Sequence, residues 1–115
     1  MKNLGFPRNR RLAKQHEFRR VYRTGLKTSN EYLTVYTCPV EGRRGKVGIV
    51  AGKRVGKAVE RNRIRRVLRE TVRANQHSIS EKTDLAIVIR RPALELPHRE
   101  LGERLLQLLR KSGAF

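Results

Sequence analysis

The pattern of apolar, polar and turn-forming positions predicts six elements along the chain. Residues 10–24 contain neither glycine nor proline, and they predict a helix ending at Gly25, a favourable residue just past a helix end. Residues 32–38 (Tyr-Leu-Thr-Val-Tyr-Thr-Cys) are β-branched and aromatic and stop at Pro39, which predicts a strand. The segment Glu41-Gly42-Arg43-Arg44-Gly45 has the composition of a hairpin-like loop, and residues 46–52 predict a second strand. Residues 57–75 predict the strongest helix, because Ile64, Val67, Leu68, Thr71 and Val72 share one face. Residues 84–91 form a continuous apolar run of strand length, the pattern of a central strand covered on both faces. Pro97 suits the start of a third helix over 98–111, lined by Leu101, Leu105, Leu108 and Leu109. Residues 1–9 predict an irregular segment around Gly5 and Pro7. The result is a single α+β domain over residues 1–115, in α-β-β-α-β-α order, with a mixed sheet packed by helices.

Length and charge change this picture from a fold to a partner class. A chain of 115 residues is the size of one domain. Its 28 Lys and Arg against 10 Asp and Glu leave it at +18, which favours a polyanionic partner. The excess is regional: residues 1–73 hold 21 basic and 5 acidic residues, whereas residues 74–115 hold 7 and 5. No apolar run reaches the roughly 18 residues of a membrane span, and no signal-peptide pattern opens the chain. A cytoplasmic location and no membrane partner are the expectation.

The candidate chemistry is that of binding. Asp84 is the one aspartate, and a two-metal nuclease needs several converging carboxylates. His16, His77 and His98 lie far apart, without metal-ligand spacing. Cys38 is the one cysteine and lies within a predicted strand, where it reads as a small apolar residue. The serines stand in no nucleophile motif, so neither a catalytic residue nor a metal ligand is assigned.

Between residues 53 and 73 stand nine basic and two acidic residues. Arg61, Arg65, Arg69 and Arg73 are spaced by four and form a ridge along one helix side, with Asn62 and Arg66 beside it. Each like-charge pair at that spacing destabilises an isolated helix by about 0.2–0.5 kcal/mol. Lys57 and Arg61 add cations near the helix start, where they are unfavourable. A phosphate chain reverses the sign of each effect and accepts bidentate guanidinium contacts. Phe18 and Tyr22 are four apart among arginines on the first helix, and Tyr32 and Tyr36 four apart on the first strand predict one shared sheet face. Core packing and a base-stacking platform both fit these aromatics. Lys53-Arg54 and Arg90-Arg91 each follow a predicted strand, so they gather at one sheet edge if those strands are parallel neighbours.

The run from Val55 to Arg69 resembles the signature of the bacterial ribonuclease P protein component. That pattern is an apolar residue, an alanine, Arg-Asn-Arg with isoleucine and two basic residues, then an arginine one turn on. Here it stands as Val55, Ala58, Arg61-Asn62-Arg63, Ile64, Arg65-Arg66 and Arg69, without departure. Arg11-Leu12, Phe18, Tyr22 and Tyr36 are similar too, as are Lys53-Arg54-Val55-Gly56 and Arg90-Arg91-Pro92-Ala93. Tyr22 stands where phenylalanine is also common, and a tyrosine also stacks. The resemblance spans roughly residues 8–111.

The resemblance implies an uncommon left-handed crossover through the signature helix, against the general preference. It implies the protein subunit of a ribonucleoprotein endonuclease that removes the 5′ leader of precursor tRNA. Catalysis and magnesium would belong to the RNA subunit. Arg61, Asn62, Arg63, Arg65, Arg66 and Arg69 would face the catalytic RNA. Phe18, Tyr22 and Tyr36 would take the leader, with Lys53, Arg54, Lys57, Arg90 and Arg91 around them. No protein partner is evident. Composition alone also fits a ribosomal or general structured-RNA-binding protein.

Overall fold

Four strands form one mixed sheet: β1 (Leu26–Ser29), β2 (Leu33–Pro39), β3 (Val47–Ala51) and β4 (Thr83–Ile89). Their order is β1-β2-β4-β3. β1 and β4 both run antiparallel to β2, and β3 runs parallel to β4. Three helices complete the domain: α1 (Gln15–Thr24), α2 (Ala58–Ala74) and α3 (His98–Ser112). The structure is a computed structural model and describes residues 10–115, so the expectation for residues 1–9 lies outside the described residues.

β4 is the predicted central strand. Leu85, Ile87 and Ile89 turn one way, into a large core with Ile64, Leu68 and Val72 of α2 and Leu101, Leu105 and Leu109 of α3. Ala86 turns the other way, into a small core with Leu12, Val21 of α1 and Cys38. α2 and α3 therefore cover one face of the sheet, and α1 covers part of the other. Truncating a fully buried residue such as Leu68 to alanine removes about 2–5 kcal/mol.

Several expectations change. The chain has a fourth strand, β1, which is four residues long and too polar for its pattern to announce it. Asn30 makes the turn into β2: its Oδ1 accepts the Tyr32 N–H at 2.8 Å and the Leu33 N–H at 2.7 Å. That turn ends the strand alternation before Tyr32. Tyr32 consequently packs on the large core while Tyr36 packs on the small one, so the two do not share a face. Residues 41–45 do not close a hairpin, because β4 lies between β2 and β3. Local composition marked the turn, but strand partnership was decided by the remote apolar run of β4.

The first helix starts at Gln15, five residues later than the absence of glycine and proline from 10–24 predicts. Glu17 Oε1 accepts the backbone N–H of Ala13 (3.2 Å) and Lys14 (3.0 Å), which satisfies helix-start donors. Arg11 instead bridges to Val47, and the Leu12 N–H donates to Val47 O at 2.9 Å. The lead-in to α1 thus lies along the outer edge of β3.

Candidate nucleic-acid interface

The α1 face of the sheet presents three aromatic rings. Phe18 and Tyr22 lie 6.0 Å apart between centroids, tilted by 35°. Tyr22 meets Tyr36 at 4.9 Å, edge to face at 64°. Phe18 and Tyr36 are half-buried against the small core, whereas Tyr22 is 39% exposed. Packing and display are therefore combined: two rings brace the third. Burial, then the neighbouring Tyr36, raises the Tyr22 phenol above its ordinary value, so it remains a neutral O–H donor.

Phe18 can approach the sheet this closely only because residue 48 is glycine. A Cβ on Gly48 would stand 2.5 Å from Phe18 Cζ and 2.9 Å from Leu12 Cβ. Beyond that contact the sheet floor continues through Val50 and Val88, which pair across β3 and β4 and are half-buried.

The basic strand ends are neighbours, as the parallel arrangement requires. A short 3-10 turn over Lys53–Val55 follows β3, and Arg90-Arg91 follow β4. Lys53, Arg54, Arg90 and Arg91 line one open concavity with Gly52, Val55, Val88 and Pro92. Arg90 Nη1 donates to Asn30 O at 2.7 Å, which aims that guanidinium. From Ala86 beside Tyr36 to Arg90 is four residues along β4, about 13 Å at strand rise. Lys57 is exposed just before α2, and its N–H donates to Glu60 Oε1 at 2.9 Å.

The arginines of α2 are less alike than their spacing. A step of four residues overshoots a helical turn by about 40°, so the ridge winds around the helix. Arg61 lies next to the buried stripe, half-buried, and its Nε has no hydrogen-bond partner. Arg65 Nη2 donates to Asn62 Oδ1 at 2.6 Å. Arg69 is exposed. Arg73 is held by Glu70 at 2.9 Å and is the least available of the four. Arg66 is exposed beside the ridge, whereas Arg63 lies on the far flank of α2, near Glu60, Leu94 and His98.

Asp84 supplies a cluster that residue spacing did not reveal. Its carboxylate is 1% exposed and receives Arg43, Arg20 and the backbone N–H of Lys46. A lone aspartate inside an apolar strand was the available signal, since a buried charge needs partners. Three of the other described carboxylates are paired with basic side chains as well. Glu17 pairs with Lys46, Glu70 with Arg73 and Glu81 with Arg44. Among the described residues no three His, Cys, Asp or Glu side chains gather as metal ligands. No helix among them is long and apolar enough to cross a membrane.

An α+β sheet with a braced aromatic cluster on one face and a polybasic helix on the other has the features expected of a polyanion-binding module. The Ribonuclease P family model matches residues 6–113. The Ribonuclease P protein component of Clostridium novyi (strain NT) is 36% identical over 110 residues, covering 94% of this chain and 97% of that protein. That of Desulforapulum autotrophicum is 35% identical over 111 residues, covering 96% and 95%. The solved RNase P protein of Staphylococcus aureus superposes with a TM-score of 0.87 at 30% identity, covering 92% of this chain and 97% of that one. The RNase P protein of Thermotoga maritima gives 0.80 at 28% identity, covering 88% and 96%. The chain belongs to the ribonuclease P protein component family, and its role lies in ribonuclease P.

Proposed function

We propose that the chain binds the catalytic RNA of ribonuclease P through α2 and the 5′ leader of precursor tRNA through the aromatic and basic track. The observation that carries this reading is the separation of the two surfaces. α2 packs on one face of the sheet, and Phe18, Tyr22 and Tyr36 open on the other, so both RNA segments can be held at once. Arg61, Asn62, Arg63, Arg65, Arg66 and Arg69 supply guanidinium and amide contacts to folded RNA. Tyr22 stacks a leader base against a platform held by Phe18 and Tyr36, and stacking is indifferent to sequence. Lys53, Arg54, Lys57, Arg90 and Arg91 draw the leader backbone along the sheet.

In this reading the cytoplasmic holoenzyme hydrolyses the precursor, and the protein acts by binding and placement. The magnesium ions would be held mainly by RNA, because the described carboxylates do not make a donor set for them. The test is reconstitution at low magnesium with precursor tRNA, with and without the catalytic RNA. Cleavage that needs the RNA and is stimulated by the protein is expected. Binding to RNA with no stimulation would turn the reading towards a general structured-RNA-binding protein.

A further inference from the structure

A cleft of about 220 Å³ opens where the lead-in to α1, the edge of β3 and α2 meet. Leu12, Val47, Ile49 and Val72 make its apolar wall, and Arg11 and Arg69 stand at its rim. It adjoins the α2 surface described above through Arg69 and opens at the sheet edge between that surface and the aromatic one. Among the described residues the Arg69 side chain makes no ion pair or hydrogen bond, unlike those of Arg65 and Arg73.

The β3 edge here carries free hydrogen-bonding groups. Lys46 O accepts from Leu85 of β4, whereas Val47 O, one residue on, accepts from Leu12 on the opposite side. Strand alternation then turns the N–H and C=O of Ile49 outward, to the same side as those of Val47. The lead-in leaves β3 after Leu12, so it covers Val47 and stops short of Ile49.

We propose that this cleft receives one unpaired nucleobase from the RNA held on α2, an inference that rests on the function proposed above. The apolar wall covers the ring. Ile49 offers one donor and one acceptor to the base edge, the pair that a ring nitrogen and an adjacent exocyclic amine require. Arg69 meets the phosphate outside. A peptide strand fits less well, because strand addition needs a longer run of free edge than one residue beside the cleft. The charge at the rim also favours a ligand with a phosphate at its mouth.

The test uses the full chain, isotopically labelled, titrated with AMP, GMP, CMP and UMP and, as a base-free control, ribose 5-phosphate. At least one nucleotide should shift the amides of Val47, Gly48, Ile49 and Val72 in a saturable way, with ribose 5-phosphate leaving Ile49 unmoved. Equal shifts from the control and every nucleotide, or no shift at Ile49, would overturn the proposal. A second arm places a ring in the cleft with Ala13→Trp, from an exposed position beside it. This variant should lose the Ile49 response and bind the catalytic RNA about tenfold more weakly, within the range for losing one base contact. Its leader affinity should be unchanged. Wild-type affinity for the catalytic RNA in a variant whose Ile49 amide reports the filled cleft would overturn the proposal while leaving the ribonuclease P reading intact. Failure of the wild-type chain to bind that RNA would instead overturn the reading on which it rests.

Discussion

Arg43 grips Asp84 with both arms of its guanidinium, Nη1 to Oδ1 at 2.9 Å and Nη2 to Oδ2 at 2.7 Å. The pair ties the 40–46 loop to the central strand, and Arg20 of α1 joins it at 3.3 Å. Asp84 hydrogen bonding raises the Arg43 pKa further above its ordinary value, against a smaller opposing effect of burial. One carboxylate thereby holds together two arginines and the backbone of Lys46 in a chain that is strongly positive overall.

Asp84→Asn should therefore be costly. Both arginines are partly exposed and regain some hydration, which places the loss at about 1–3 kcal/mol rather than the larger cost of a fully buried pair. Thermal unfolding would show it as a lower midpoint, and added sulfate should recover part of the loss by screening the arginines. An unchanged midpoint would mean that the cluster does not stabilise the fold.

Acid sensitivity should trace to Glu17. Burial raises its pKa, but the hydrogen bond from Lys46 at 2.6 Å and those from the backbone of Lys14 and Ala13 outweigh burial and lower it to about 2. The depressed value means that its stabilisation is complete above the unfolded value, about 4.5, and fades as pH falls towards 2. Glu17→Gln should lose about 1–2 kcal/mol at pH 7 and approach the wild type near pH 2. Denaturant melts across that range would check it, and a gap independent of pH would refute the assignment.

The floor under Phe18 offers a test of the leader surface. Gly48→Val should push the ring off the sheet and disturb Tyr22 behind it. Phe18→Ala should remove the brace directly. In both variants precursor tRNA should bind about five- to tenfold more weakly, the scale of a lost stacked base, with mature tRNA little affected. Equal losses for precursor and mature tRNA would sink the leader assignment.

The arginines of α2 should differ in ways their spacing does not show. Arg65→Ala and Arg69→Ala should weaken catalytic-RNA binding and lower the salt dependence by about one counterion each. Arg73→Ala should do less, because Glu70 already neutralises that guanidinium. Filter binding across a salt series separates these outcomes, and an Arg73 effect as large as that of Arg69 would contradict the pairing.

Periodicity alone was enough to place α2, α3 and the central strand. Ile64, Leu68 and Val72, and the leucines of α3, repeat over several turns, so their common face follows from backbone geometry. The residues later found at the strand ends and in the aromatic cluster were also legible one by one. Which of them meet was not. Tyr32 and Tyr36 have same-face spacing, yet the Asn30 turn sends them to opposite cores. β1 has too few apolar positions to show itself and exists because β2 offers it a partner. The insertion of β4 between β2 and β3 brought Arg90-Arg91 beside Lys53-Arg54 and left the edge of β3 open near Arg69. Charge, helix faces and the signature are properties of neighbours along the chain, so the sequence determined them. Strand order and the separation of the aromatic surface from the arginine-rich one depend on contacts between distant segments, which only the packed sheet could decide.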